Sequence, residues 1–225
     1  MSLTDQSPDV LLADESEARG RSPLLVTFAG LTLVLAVAAF LLPDRTVGPG
    51  DGMLSTHYMG LLATNQPWNL LMFMAVPVIL AETLAVTELV ILRGGSVGPV
   101  VAGLNRWAGL IAGPYMIAVT VHLLRNAVIP LTATGGWRGA ADVIAVSFYL
   151  LGTVPMVGLT LVELGLVGRT HESARTWHTV FVGAFLVIAH VAMIVGMLDP
   201  TVLGWRASTG HTMPDGSVMP GMTHN

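Results

Sequence analysis

The chain has 225 residues, 53% of them hydrophobic and 11% charged, and its mean hydropathy of +0.71 is typical of a polytopic membrane protein. It contains no Cys, which excludes disulfides, thiolate zinc sites, iron–sulfur clusters and Cys nucleophiles. Its net charge of −4 comes largely from an acidic N-terminal tail, and the lack of a basic patch argues against a nucleic-acid partner. We therefore predict an all-α, polytopic membrane helix bundle.

The N-terminal part of the chain predicts a tail, one span and a polar connection. Residues 1–21 are acidic and poor in large apolar side chains, so we expect a disordered cytoplasmic tail. Ser22–Pro43 is an apolar run without an ionisable residue, too long for a signal peptide, and we interpret it as a retained scaffold helix. Asp44–Gln66 is a polar connection in which Thr56–Leu62 favours a short interfacial helix.

The second span, Pro67–Arg93, is long enough to cross a bilayer yet carries Pro77, Glu82 and Glu88. Glu82 lies about 21 Å along the helix axis from Trp68, so it is well inside the membrane. The two acids are about 120° apart around the helix and cannot both line one site. Glu82 is therefore the better candidate for proton or cation exchange. The alternative is a protonated acid bonded to a neighbouring helix, with Pro77 as a packing kink.

Three further spans are predicted, and they complete a five-helix membrane domain over residues 22–205. They run from about Trp107 to Val128, from about Ala140 to Leu166, and from Trp177 to Leu198. Residues 206–225 then form a C-terminal tail.

The positions of the arginines predict the orientation, because cytoplasmic loops retain an excess of basic residues. With a cytoplasmic N-terminus, six of the ten arginines lie inside and four lie outside. We expect a bacterial inner-membrane protein with a cytoplasmic N-terminus and an external C-terminus. Its surroundings are the lipid bilayer and, as alternatives to a single chain, a homo-oligomer or a larger membrane complex.

The fourth span carries a stripe of six residues at intervals of seven, four, three, four and three, which places them on one helix face. They are Asp142, Tyr149, Thr153, Met156, Thr160 and Glu163. Such a stripe is costly against lipid, so it should face the bundle interior. It predicts either a transport or proton-coupling pathway or polar contacts that only hold helices together.

Two histidines are candidate metal or haem ligands. His190, Met193 and Met197 share one face of the fifth span, and imidazole with thioethers is a ligand set that suits Cu(I). His122 on the third span lies 15 residues from its Trp, against 13 for His190, so the two histidines could meet at one depth. The alternative is that the methionines only fill the core. His178 lies about 120° around the helix from His190 and is interpreted as interfacial.

The C-terminal tail is rich in His and Met within a Gly/Pro-rich segment. The candidate ligands are His211, Met213, Met219, Met222 and His224. Their softness favours capture of copper, and the alternative is an unselected polar tail.

Three blocks resemble a family of short, uncharacterised bacterial membrane proteins that are automatically labelled permeases. The blocks are Thr56–Glu82, Asn126–Gly152 and His190–Trp205. The resemblance extends over roughly residues 55–205 and leaves out the acidic tail and the first span. It implies a multipass inner-membrane protein and gives weak support to transport.

These patterns lead to three hypotheses. The first is transport or delivery of a small cation, with copper favoured, through an outer His/Met site and intramembrane carboxylates. The second is a b-type haem or quinone-reactive subunit of a respiratory complex, with His122 and His190 as axial ligands. The third is a structural accessory subunit. No phosphate-loop, zinc-protease or serine-nucleophile motif is present in the sequence, which disfavours an enzyme.

Overall fold

The computed structural model describes residues 8–44, 55–94, 97–168, 170–206, 211–212 and 218–219, with only the backbone given for 8–22 and for the last two segments. The described chain is a helix bundle, which confirms the all-α prediction. Its helices are α1 (Pro8–Leu41), α2 (His57–Ala63), α3 (Trp68–Leu92), α4 (Pro99–Thr134), α5 (Gly139–Leu151), α6 (Thr153–Glu163) and α7 (His171–Gly196). A 3₁₀ turn, Pro200–Leu203, follows α7, and His211–Thr212 pairs antiparallel with Val218–Met219.

Within the described residues, five helical segments are long and apolar enough to cross a membrane, which confirms the predicted number of spans. They are Pro23–Leu41, Trp68–Leu92, Pro99–Thr134, Gly139–Glu163 and His171–Gly196. The fourth consists of α5 and α6, which follow each other through a turn at Gly152.

The first helix corrects the predicted disorder of residues 8–21, because α1 already begins at Pro8. Proline suits the first turn of a helix, where its missing N–H costs nothing. Residues 1–7 lie outside the described residues.

The third span is longer than predicted, since α4 runs from Pro99 instead of Trp107 and continues to Thr134. Asn105 lowers the mean hydropathy of the first turns of α4, so hydropathy alone predicts a start that is too late. In the bundle this side chain is buried and accepts a hydrogen bond of 2.8 Å from Thr87 on α3. Burial with a partner removes the cost of the polar group.

The fifth span also begins earlier than predicted, at His171 instead of Trp177. Thr170 caps the helix, because its hydroxyl accepts a hydrogen bond of 3.1 Å from the Ser173 N–H. The first turns of α7 are polar, and the cap rather than the hydropathy marks the start of the helix.

The predicted short helix at Thr56–Leu62 is confirmed as α2. Thr56 is its N-cap and also donates a hydrogen bond to the Gly196 carbonyl at the end of α7. A side chain at Gly196 would collide with the Tyr58 ring, so glycine allows α2 to lie directly on α7. We call this part of the bundle the α2 end, and we call the opposite part, which carries Glu88 and His178, the far end.

Helix α4 is central to the bundle, since it packs against α1, α3 and α6, while α7 packs against α5, α6 and α3. Close approach of α4 and α6 depends on Gly113, because a Cβ there would lie 2.5 Å from the Thr160 hydroxyl. Small residues at such crossings are typical of helix contacts in membranes. The bundle thereby places α3, α5, α6 and α7 around the sites described next.

Candidate functional site

A cavity of about 170 Å³ lies between α3, α5 and α7, beneath α2. Its polar lining comes from Tyr58, Glu82, Tyr149 and His190. Its thioethers come from Met74, Met116 and Met193. The remainder of the lining is mostly apolar. The cavity therefore gathers an acid, an imidazole and three soft sulfur donors in an apolar setting.

His190 presents one ring nitrogen for binding. Its Nδ1 lies 2.6 Å from the Leu186 carbonyl, and a carbonyl only accepts, so Nδ1 carries the proton. In the neutral ring Nε2 then keeps its lone pair. Metal-binding histidines commonly have this arrangement, with one nitrogen held by a backbone carbonyl.

The two methionines that share a helical face with His190 separate in the structure. Met193 is half-buried and lines the cavity. Met197 follows the end of α7, is 66% exposed and does not line the cavity. At the cavity the predicted i, i+3, i+7 set is therefore reduced to its first two members.

Glu82 lines the same cavity, is exposed, and has no hydrogen-bond or ion-pair partner in the part of the chain that the structure describes. The alternative of an acid bonded to a neighbouring helix thus finds no partner there. An unpaired acid in the middle of a span is costly, and such residues mark binding or proton-transfer sites.

His122 lies away from this cavity. Its side chain is buried, its Nδ1 lies 3.2 Å from the Ala39 carbonyl of α1, and the Asn126 amide lies 3.1 Å from the same nitrogen. Its ring stacks on Phe73, which itself lines the cavity. The expected meeting of His122 and His190 is corrected, because equal depth does not fix the side of a helix and α1 covers His122.

Asp142 begins the polar stripe at the α2 end and is fully buried. One carboxylate oxygen accepts from the His57 N–H at 2.6 Å. The other lies 2.5 Å from the His57 Nδ1 and accepts from the Arg138 N–H at 3.1 Å. This carboxylate joins α2 to the start of α5.

Tyr149, the next stripe residue, satisfies a carbonyl that Pro77 leaves free. Pro77 has no N–H, and Leu71–Ala75 just before it forms a π-helical turn. The Tyr149 hydroxyl donates to the Phe73 carbonyl at 2.7 Å, and the Tyr115 hydroxyl donates to the Met72 carbonyl at 2.7 Å. The predicted kink at Pro77 therefore takes the form of a π-helical turn held by two neighbouring helices.

Tyr58, on α2, lies beside Tyr149, with ring centroids 5.4 Å apart. Burial raises the pKa of the Tyr58 phenol above its usual value, so the group stays a neutral hydroxyl at physiological pH. The wall of the cavity nearest α2 is thus uncharged.

The middle of the stripe is used for contacts between helices. Thr153 and Thr120 share a hydrogen bond of 2.6 Å between their hydroxyls. Thr160 donates to the Gly109 carbonyl at 2.7 Å and accepts from the Gly113 N–H at 3.0 Å. Met156, between them, is fully buried. The sequence left two interpretations of the stripe, a transport or proton-coupling pathway and polar contacts between helices. These hydrogen bonds favour the second interpretation.

The far end of the bundle holds a cluster that the sequence did not reveal. His178 of α7 is buried, with its Nδ1 2.9 Å from a Glu88 oxygen of α3 and its Nε2 3.4 Å from a Glu163 oxygen of α6. The sequence predicts His178 as interfacial and favours Glu82 over Glu88, and it does not predict that His178 and Glu88 meet. Hydropathy and spacing along one helix carry no signal for side chains that meet from three helices.

The predicted C-terminal site lies mostly outside the described residues, which leave out Met213, Met222 and His224. The backbones of His211 and Met219 are partners in the two-residue pairing. Within the described ranges, no group of three or more His, Asp or Glu is placed so that it could hold a metal ion.

Comparison with known proteins gives one result. No curated protein and no solved structure matches the chain. A protein family described as a family of unknown function, DUF6803, matches residues 53–212. The match confirms the resemblance to an uncharacterised family and spans α2 to α7, with the cavity and the far-end cluster. Since it covers more than half of the sequence, the chain belongs to the DUF6803 family.

Proposed function

We propose that the protein binds Cu(I) in the cavity at the α2 end and transports or delivers it across the membrane. One observation carries this proposal. The mostly apolar cavity is lined by Glu82 from α3 and by His190 and Met193 from α7. Met74 and Met116 add two further thioethers. Thioether and imidazole donors favour Cu(I) over harder ions.

The charge of the site favours a monovalent ion. Cu(I) carries one positive charge, so the Glu82 carboxylate leaves the filled site neutral. A divalent ion would leave a net positive charge in an apolar surrounding, where uncompensated charge is expensive. The same carboxylate has no other partner among the described residues, so it is available to the ion.

Copper binding is expected to depend on the cavity donors and not on nearby residues of the same types. Met193→Leu and His190→Gln should each lower Cu(I) affinity at least about tenfold, because each removes one soft ligand. The measurement is competition with a chromophoric Cu(I) chelator, using the full chain in detergent. Glu82→Gln should fold normally and lose Cu(I) flux in reconstituted vesicles, since it removes the compensating charge.

The matched controls are Met197→Leu, which removes an exposed thioether outside the cavity, and His171→Gln at the start of α7. Both should bind as the wild type does. Equal affinities across cavity variants and controls would contradict the proposal. An absorption spectrum of the same preparations tests the haem alternative, since a Soret band would show that the protein binds haem and would favour that hypothesis over copper.

A second candidate function is a structural accessory subunit. It is favoured by the middle of the stripe, where Thr153 and Thr160 bond to α4 instead of lining an open path. The haem hypothesis has less support, because α1, Asn126 and Phe73 surround His122. If neither copper binding nor copper flux is measured, the structural function becomes better supported than copper transport.

We also propose that the chain lies in a bacterial inner membrane with Met1 inside and Asn225 outside, on the arginine bias. The His/Met tail would then capture copper on the outer side. A reporter enzyme that works only outside the cytoplasm is expected to be active when it is fused at Asn225. An active cytoplasmic reporter at that position would remove the capture role of the tail.

A further inference from the structure

We propose that Glu163, His178 and Glu88 form a proton-binding relay, in which two carboxylates share one proton across the imidazole ring. The proposal goes beyond copper binding and stands independently of it. Three different helices supply the three groups, and all of them meet at the far end, away from the cavity. The contacts therefore form only when the bundle is assembled.

The geometry fixes the number of protons. Both ring nitrogens of His178 face carboxylate oxygens, at 2.9 and 3.4 Å. A neutral imidazole has one N–H, so its other nitrogen would turn a lone pair toward a negative oxygen. Either the ring is doubly protonated or one carboxyl is protonated. In both cases the cluster holds one proton more than its fully deprotonated form.

The ring is also not fixed by hydrogen bonds. Neither nitrogen of His178 has a hydrogen-bond partner of good geometry among the described residues, although both are buried. Buried polar atoms without a partner are rare and indicate strain or function. The ring therefore lies between two acceptors at ion-pair distance, without a well-aligned hydrogen bond to either.

The two carboxylates differ in access. The Glu88 side chain is 8% exposed and the Glu163 side chain 17%, so water reaches the relay more easily at Glu163. Glu88 is held in place, since it accepts a hydrogen bond of 2.5 Å from Thr179. Glu163 lies against Gly109, where a Cβ would come within 2.9 Å of its side chain.

Arg175, on α7, is a charged neighbour that interacts electrostatically with Glu88. The α4 residues that meet the acids and their neighbours are Gly109 and Asn105, which carry no charge. These α4 neighbours therefore add no charge to the two acids and the imidazole.

The transfer step conserves protons and charge. The proton of the Glu163 carboxylic acid moves to Nε2 of His178 while the Nδ1 proton moves to Glu88. The ring stays neutral and changes tautomer, Glu163 becomes a carboxylate and Glu88 becomes the acid. Only the reverse transfer, which returns the proton from Glu88 through the ring to Glu163, restores the start, since histidine can shuttle a proton in either direction.

The test is infrared spectroscopy of the full chain in lipid nanodiscs over a pH series, which reports protonated carboxyl groups. In the wild type we expect one carboxylic-acid band that titrates as a single shared proton. Glu88→Gln and Glu163→Gln should each shift the midpoint of the remaining acid by more than one pH unit, and His178→Gln should separate the two acids. The control Glu172→Gln, in the exposed first turn of α7, should leave the band unchanged.

Two results would overturn the relay. One is an unchanged band and midpoint in both Gln variants, which means that the acids titrate independently. The other is loss of the wild-type band on addition of Zn²⁺, which means that the cluster holds a divalent metal. Should a Gln variant fail to fold, Glu88→Asp or Glu163→Asp keeps the carboxyl and must still move the partner's midpoint.

Discussion

Asp142→Asn is expected to be the most damaging single substitution in the α2 end, lowering the free energy of unfolding by about 3–5 kcal/mol. Both carboxylate oxygens of Asp142 face donors: the backbone N–H groups of His57 and Arg138, and the His57 ring nitrogen. An amide offers only one acceptor oxygen, so its NH₂ group must meet a donor in either orientation. Helix α2 would then lose its link to α5.

The measurement is thermal unfolding of wild type and variant in the same detergent. Asp199→Asn is the matched control, because Asp199 caps the 3₁₀ turn and accepts from Thr201, and Asn is as good a cap as Asp. A transition temperature for Asp142→Asn equal to that of the control would contradict a structural role for this carboxylate.

The spans and the short helix α2 could be predicted because their signals are local. An apolar run long enough to cross a bilayer, or a Thr before a helix, is visible in one segment of sequence. The stripe on the fourth span was likewise visible, since the helical period alone places Asp142 and Thr160 on one face. Local signals failed at the start of α4, where Asn105 is polar but finds a partner on α3.

The burial and the partners of Glu82 and Glu88 could not be predicted, because they depend on how each helix is rotated against its neighbours. Depth favoured Glu82, and the structure indeed places it at the cavity, but without a partner among the described residues. Glu88, set aside for its angle to Glu82, proves to be buried beside His178. The angle was useful in another way, since the two acids lie in different places, Glu82 at the cavity and Glu88 beside His178.

The histidines show the same limit. His122 and His190 have similar depths, yet one is covered by α1 and the other opens to the cavity. Only the packing partners of α4 and α7 decide this, and a single sequence does not contain them. The two tyrosines that bond to the π-helical turn near Pro77 are a further case, because they come from two other helices.

Those tyrosines give the second large expected effect. Tyr115→Phe combined with Tyr149→Phe should lower the free energy of unfolding by about 1–3 kcal/mol for each carbonyl left unsatisfied. In an α-helix the Phe73 carbonyl would accept from residue 77, and in a π-helical turn the Met72 carbonyl would do so. Pro77 can serve neither, so both carbonyls depend on the hydroxyls.

A double-mutant cycle with Pro77→Ala separates this cause from loss of packing. Ala at position 77 restores an N–H that can bond to one of the two carbonyls, so the Tyr-to-Phe penalty should shrink by about 1 kcal/mol in that background. Tyr58→Phe is the control, since its hydroxyl has no hydrogen bond to any residue in the described part of the chain. Its effect should be the same with Pro or Ala at position 77.

The cycle also bears on the cavity, because Phe73, Pro77 and Tyr149 form part of its lining. If the tyrosines hold the π-helical turn in place, their loss should weaken Cu(I) binding although no proposed ligand has changed. Chelator competition on the Tyr-to-Phe pair measures this, and Pro77→Ala in the same protein should recover part of the affinity. Additive unfolding energies together with unchanged copper affinity would show that the hydroxyls neither support the turn nor shape the site.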